Sequence, residues 1–456
     1  MVDMASRKVA SVDCSYWTHL NQIRLAHGGV FSFKDREYQQ EPLSSKAPNI
    51  CYMKATGGGF SEIEILKTLH GMIHGRYPQG ALYMFPTNDD VQDFSKSRFN
   101  PLILYNPKAI GKYVKSVGKG VDSAKLKRVG KSNLYLRGAR LDPSDEGDGA
   151  KKSTKLTGIQ VDRIVPDEVD QMDPEAIAKA KGRMGSAAVD GIKGNREAAY
   201  VANPSDEDRG IDLYWQGSDQ RQWFRFCDRC QTLTCAELEF QNAPEKTVGF
   251  HPDGKGFIKC RKCGYPIGIP GEWIAQRPEN KKMVGYQWSH LTSAYWDPAE
   301  ILERFNNPPE GNLGDVYRLD LGLPYSSRED KLRKADVLSC CGYEIMPAYH
   351  KGPCAAGVDI GRTKHVLIGT RTGTDKYEII KAEAIPPGDE KWQRLHDLFR
   401  RYNVKSAVID LRPYEDKARE FQKKERKTRI YLCEYTDSAL LDASYNDKTG
   451  IVKVYR

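Results

Sequence analysis

The sequence predicts two successive α/β domains, and three observations carry that expectation. Strand-like and helix-like patterns alternate between residues 49 and 205 and again from residue 353 onward. A glycine-rich stretch, "MKATGGGFSE" (53–62), joins the first strand pattern to the first helix pattern. Two Cys-x-x-Cys pairs mark a small metal-binding module within the N-terminal part.

Composition sets the limits. A chain of 456 residues, with 39% hydrophobic and 29% charged residues, suits two or three soluble domains with ample core. It has no uninterrupted apolar run of about 18 residues, so no membrane span is expected. The opening "MVDMASRKVASVDCSYWTHL" lacks the apolar core of a secretion signal, which points to the cytosol. A net charge of +9, with Lys and Arg alternating with aromatics in several places, favours a polyanionic partner, although so modest an excess also reads as solvated surface.

The elements follow in order. "NICYM" (49–53) reads as a buried strand, and "FSEIEILKTLHGMIHGRY" as a helix with Ile63, Ile65, Leu66, Leu69 and Met72 on one face. "GALYMFPT" (80–87) is a second strand, and "DDVQDFSKSRFNPLI" a helix expected to stop before Pro101. Residues 111–158 are poor in large apolar groups and hold one strand, "NLYLRGA". The nearby "VGKS" (129–132) ends like a phosphate loop, but the required glycine is Lys125 and a strand follows. "VDRIVPDEVDQM" (161–172) is an apolar run reaching Asp167 and Glu168, and "AAYVANPS" (198–205) is a further strand. "MVGYQWSHLTSAYW" returns to strand character, and "DPAEILERFNN" is a helix with Asp297 as its N-cap.

A phosphate loop needs backbone N–H groups converging at a helix N-terminus, a cation, and a hydroxyl for magnesium. Gly57, Gly58 and Gly59 permit the tight backbone, Ser61 supplies the hydroxyl, and Lys54 is a cation at the front of the loop. Alone, the stretch also reads as a turn. Asp167 and Glu168 tip the balance: an aspartate at a strand's end can hold Mg²⁺, and the next glutamate can orient water. ATP hydrolysis with Mg²⁺ is therefore expected.

Cys227 and Cys230, then Cys260 and Cys263, are matched knuckles 29 residues apart. That spacing predicts a closed, structural Zn²⁺ site. Cys235 fits neither knuckle, and Lys255, Lys259, Arg261 and Lys262 surround the module as solvated cations or phosphate contacts.

After a polar stretch, "CAAGVDIG", "KHVLIGTRTG" and "KYEIIKAEAI" read as three strands, followed by helix, strand ("SAVIDL"), helix and strand ("RIYLCEY"). This is the order of an RNase H-like fold. Asp359, expected mid-strand, and Asp410, at the end of the fourth strand, would face each other across neighbouring strands. Adjacent buried carboxylates are costly unless cations sit between them. The expectation is a two-metal Mg²⁺ or Mn²⁺ phosphodiesterase.

In this order the motifs resemble the large terminase subunit of tailed bacteriophages, in its lambda-type branch. The resemblance rests on the front-lysine loop, on Pro86 to Pro101, on Gly138-Ala139, on the Asp-Glu strand end, and on "SDQR" (218–221) before the cysteines. It implies a P-loop ATPase of the additional-strand (ASCE) type with a zinc-ribbon insertion, then an RNase H-like nuclease. It implies that residues 54–61 (Lys54, Ala55, Thr56, Gly57, Gly58, Gly59, Phe60, Ser61) and Asp167 bind nucleotide and Mg²⁺, and that Glu168 is the catalytic base. Asn203 and Ser205 fall where the family couples hydrolysis to DNA movement, and Arg98 stands as an arginine finger or a solvated helix residue. The nuclease of that family has a third acid beyond further strands, whereas this sequence ends in the strand-like "GIVKVYR", with Asp437, Asp442 and Asp447 as substitutes.

The expected organisation is an N-terminal segment (1–48), the ATPase domain (49–223), the ribbon (224–268), completion of the ATPase (269–330), a linker (331–352) and the nuclease domain (353–456). The implied activity is a packaging motor that moves double-stranded DNA into a procapsid and cuts the concatemer. Implied partners are DNA, a small terminase subunit, a portal ring and further copies of the chain in a ring, in the host cytoplasm at the procapsid. Two other readings compete: a DNA helicase or translocase whose nuclease-like domain is inactive, and a zinc-ribbon DNA-binding scaffold.

Overall fold

The apolar run at 49–53 forms β1 (Asn49–Lys54), flanked on both sides by parallel strands and almost wholly buried. Such a strand faces packed side chains above and below, so it reads as continuous hydrophobicity rather than alternation. In this computed structural model the chain divides into two units, Met1–Lys331 and Leu332–Arg456. Residues 4–115, 125–139, 158–185, 188–189, 192–193, 195–326, 339–342, 345–361, 363–374, 376–388, 392–436 and 443–455 are described.

The first unit is built on one mixed sheet. Its other main strands are β2 (Ala81–Phe85), β3 (Ser132–Gly138), β4 (Arg163–Pro166), β5 (Glu197–Ala202), β6 (Arg221–Phe226), β7 (Gly271–Ala275) and β8 (Val284–Trp288). The central order is β6-β8-β1-β5-β4-β2-β3, all parallel, with β7 antiparallel on β6. The acid-bearing β4 is thus separated from the loop strand β1 by the inserted β5. Helix α1 (Phe60–Ile73) leaves the end of β1 and buries Ile63, Ile65, Leu66, Leu69 and Met72.

The N-terminal residues are integral to this core. Ala10, Cys14, Trp17, Ile23, Leu25, Tyr38 and Leu43 join the same hydrophobic cluster as β1 and α1. The "VGKS" stretch is the turn of a hairpin between Leu126–Val129 and β3, with Gly130 at φ +62°. β6 runs across the expected border between residues 223 and 224.

One helix differs from expectation. The segment after β2 does not stop before Pro101; α-helix Asn88–Phe94 passes through a π-helical turn at Ser95–Phe99 into α-helix Asn100–Tyr105. Proline lacks the N–H of a regular turn and clashes with the carbonyl four residues back. The wider π turn relieves that conflict, and Pro101 falls in the first turn of the new helix.

The second unit is a seven-stranded sheet: β9 (Cys354–Ile360), β10 (Lys364–Arg371), β11 (Tyr377–Ile385), β12 (Val404–Asp410), β13 (Arg429–Thr436), β14 (Ser444–Asn446) and β15 (Ile451–Tyr455). The order is β11-β10-β9-β12-β13-β15-β14, antiparallel across the first three strands and parallel from β9 through β13 to β15. Helices Gln393–Arg401 and Glu415–Lys424 bury Leu395, Leu398, Phe399, Ala418 and Phe421 against one face. Asp359 is not mid-strand as expected; it is the penultimate residue of β9, because pairing with β10 ends one residue later at Ile360. Much of the expected linker lies outside the described residues, as do Asp437 and Asp442.

Candidate active sites and metal centre

Between β1 and α1 the chain reverses over three glycines. Gly57 and Gly59 have φ of +73° and +78°, a left-handed backbone that residues with a Cβ adopt only under strain. Gly59 is the N-cap of α1, so the loop runs directly onto the positive end of a 14-residue helix. A cavity of about 420 Å³ opens there, lined by Lys54, Thr56, Gly57, Gly58, Gly59, Phe60, Ser61, Glu62, Arg98, Glu168 and Asn203. Ala55 is fully buried and lies outside that lining, with its N–H donated to the Trp288 carbonyl at 2.9 Å.

Lys54 is 6% exposed, and its Nζ donates to Asn203 Oδ1 at 2.7 Å and pairs with Glu168 Oε1 at 3.4 Å. Asp167 accepts from Ser61 Oγ and from the Tyr83 hydroxyl, each at 3.1 Å. Burial, and then the neighbouring Glu168 charge, push Asp167 up to about 6. A buried carboxylate held high in this way is relieved by a cation, so the Ser61–Asp167 pair fits Mg²⁺. Glu168 has φ +65°, unusual for a side-chain-bearing residue and costing about 1–3 kcal/mol. That backbone lets its carboxylate line the cavity while its N–H stays bonded to Val201 O.

The two expected coupling residues part company. Asn203 is in the cavity wall, whereas Ser205 donates its hydroxyl to Asp170 at 2.6 Å, outside the cavity lining. Arg98 reaches the cavity mouth, half-exposed and paired with Glu62. Three further lining residues, Leu25, His27 and Arg36, come from the N-terminal segment and have no counterpart among the sequence expectations. No local motif announces them, since they reach the loop only through the tertiary fold.

Residues 35–270, more than half of the chain, match the family described as phage terminase large subunit gpA, ATPase domain. The chain belongs to that terminase family. It is an ATPase of phage DNA packaging. The crystal structure of the HK97 bacteriophage large terminase is 9% identical, covering 90% of this chain and 82% of that one, with a TM-score of 0.48. A large terminase from a thermophilic bacteriophage is 13% identical over 86% and 80% of the two chains, with a TM-score of 0.35. The Thermus phage P74-26 large terminase ATPase domain is 12% identical over 64% and 96%, with a TM-score of 0.33. No curated protein matches the sequence.

In this terminase the four knuckle cysteines meet. The sulfurs of Cys227, Cys230, Cys260 and Cys263 lie within 4.8 Å of one another, with Cys227–Cys263 at 3.6 Å and Cys230–Cys260 at 3.5 Å. A tetrahedral site with Zn–S bonds of about 2.3 Å has sulfurs roughly 3.8 Å apart, so this cluster is compatible with zinc. Cys235 is buried elsewhere and donates to Glu237. The ribbon is not a free appendage: Cys227, Phe240, Val248 and Ile258 share a core with Leu291, Ile301, Leu302 and Leu321.

In the second unit, Val358 pairs with Ile409, which places Asp359 and Asp410 side by side one residue further on. Asp410 is raised by burial and by the adjacent Asp359 carboxyl, and Tyr435 donates to it at 3.4 Å. The antiparallel neighbour of Asp359 is His365. Asp447 is not part of the pair; it accepts from Arg429 at 2.8 Å and from Tyr431, four and two residues before the Asp410 neighbour Cys433 on β13. Among the described residues no third acid, His or Cys joins the pair closely enough to share one ion. No helix among them is long and apolar enough to cross a membrane.

Proposed function

We propose that this chain is a two-activity motor: an ATP-driven translocase of double-stranded DNA and a metal-dependent endonuclease. The observation that carries the first activity is the convergence of Lys54, Ser61, Asp167, Glu168 and Asn203 on one cavity at a helix N-terminus. Lys54 and residues 56–61 cradle the phosphates, with Ala55 buried behind them. Lys54 neutralises charge that develops on them, and Ser61 with Asp167 holds the magnesium that accompanies ATP. Glu168 takes the proton of the attacking water. Asn203 senses the state of Lys54 and passes it along β5, which is the coupling role. Arg98 completes the phosphate charge once it leaves Glu62.

The nuclease reading rests on the Asp359–Asp410 pair, whose mutual repulsion fits divalent cations. Mg²⁺ or Mn²⁺ held there supplies Lewis acidity and an activated water. Zinc at the four cysteines fixes the ribbon. Partners on this reading are DNA, a small terminase subunit, a portal ring and further copies of the chain in a ring, in the host cytoplasm at the procapsid.

Two assays test it together: ATP turnover with and without DNA, and linearisation of supercoiled plasmid in Mn²⁺. Asp359→Asn removes a charge and keeps the shape, so cleavage stops while ATPase is unchanged. Cleavage surviving in that variant would remove the nuclease assignment and favour the translocase with an inactive second domain.

A further inference from the structure

The phosphate loop is held from behind by a segment far away in sequence. His290 is 1% exposed and sits on a short turn after β8. Each ring nitrogen lies within hydrogen-bonding distance of an oxygen: Nδ1 is 3.0 Å from Asp320 Oδ1, and Nε2 is 2.8 Å from the Thr56 carbonyl. Trp296 stacks on the ring at 4.0 Å and 7°, which leaves it little freedom to rotate. Thr56 also donates through its N–H and hydroxyl to Leu319 O, at 3.0 and 3.2 Å. Gly322 presses so closely on the same place that a Cβ there would meet Ala55 N at 2.5 Å.

The turn that carries His290 is itself anchored in the ribbon segment. Glu237, 2% exposed, accepts from Ser289 Oγ at 2.8 Å and from Thr292 Oγ1. Glu237 lies on helix Ala236–Asn242, seven residues past Cys230. Glu237, Ser289 and His290 therefore link the segment that follows the first cysteine knuckle to the front of the loop.

We propose that His290 is a positioning residue for ATP hydrolysis. It holds the Thr56 carbonyl pointing away from the cavity, so that the peptide N–H groups of the glycines face the phosphates. The ribbon's place in this terminase is then to brace the ATPase loop. This inference rests on residues 54–61 being the phosphate loop. A loop released at Thr56 still binds phosphates but no longer presents them to Glu168, so the loss falls mainly on kcat. Misplacement by about 1 Å is enough for a hundredfold loss.

The test is steady-state ATP hydrolysis by the full chain, with melting temperature and bound zinc measured on the same samples. His290→Ala should lower kcat about a hundredfold, with a smaller change in KM and with zinc retained. His290→Gln, which keeps an N–H donor, should recover part of the loss. Adding Asp320→Asn to His290→Ala should cost little more, because the two act as one unit. A folded His290→Ala protein with wild-type kcat overturns the proposal. Should that variant fail to fold, wild-type kcat in Asp320→Asn overturns it instead. Lys54→Ala separates the two levels: turnover there sinks the loop assignment itself, whereas a dead Lys54→Ala beside a fully active His290→Ala sinks only the brace.

Discussion

Lys54 Nζ donates a 2.7 Å hydrogen bond to Asn203 Oδ1, joining the front of the glycine loop to the end of the strand beside it. The bond crosses from β1 to β5, the strand inserted between loop and acid strand. A cation so placed has two partners to exchange: the amide and the Glu168 carboxylate at 3.4 Å. On the proposed reading, a phosphate arriving at Lys54 would alter both contacts at once.

Asn203→Ala should therefore lower ATP turnover about tenfold, the equivalent of one charge-assisted hydrogen bond. Ser205→Ala should behave differently. Its hydroxyl serves Asp170, so stability falls by about 1 kcal/mol in a denaturant titration while kcat holds. Equal kcat losses in both variants would show that the two residues act as one coupling unit.

Glu168→Gln should bind ATP and fail to cleave it, since the amide cannot accept the proton of water. Filter binding of labelled nucleotide beside a phosphate-release assay reads both properties. Hydrolysis at more than a few per cent of wild type would assign the base elsewhere.

Asp167 carries a pH signature. Its carboxyl is raised from 3.8 to about 6 by burial and by Glu168, so the folded protein binds its proton more tightly than the unfolded chain does. With the folded value above the unfolded one, this group's contribution to stability is fully present below about pH 4 and is lost as pH rises through about 6. At neutral pH the buried charge is a cost that a cation relieves. Asp167→Asn should raise the melting temperature of nucleotide-free protein by a few degrees and abolish Mg²⁺-dependent hydrolysis. In the wild type, KM for Mg–ATP should climb as pH drops below about 6, as protons compete with the metal.

Metal analysis of protein purified without chelator should find about one zinc per chain. Stripping it should expose 224–268 to protease and also depress ATP turnover, because the ribbon core includes Leu291, next to His290. Intact turnover with the ribbon cleaved would mean that the two regions are mechanically separate.

What is legible in the sequence is what is local. β1 and β2 are buried on both faces and so appear as apolar runs; Gly57 and Gly59 appear because their backbone needs glycine; the paired cysteines appear because a knuckle fixes their spacing. The helix through Pro101 escapes such reading because a π turn defers the proline's conflict without a sequence marker. His290 and Thr56 are 234 positions apart, and nothing in either neighbourhood indicates the other. Leu25, His27 and Arg36 are hidden for the same reason: their contribution is made by the path of the whole N-terminal segment.

The matched family region begins at residue 35, yet Leu25 and His27 already line the cavity beside the glycine loop. The wall of the site is therefore drawn partly from outside the stretch that defines the family. A truncation made at that border would delete part of the receptacle while leaving every recognised motif intact.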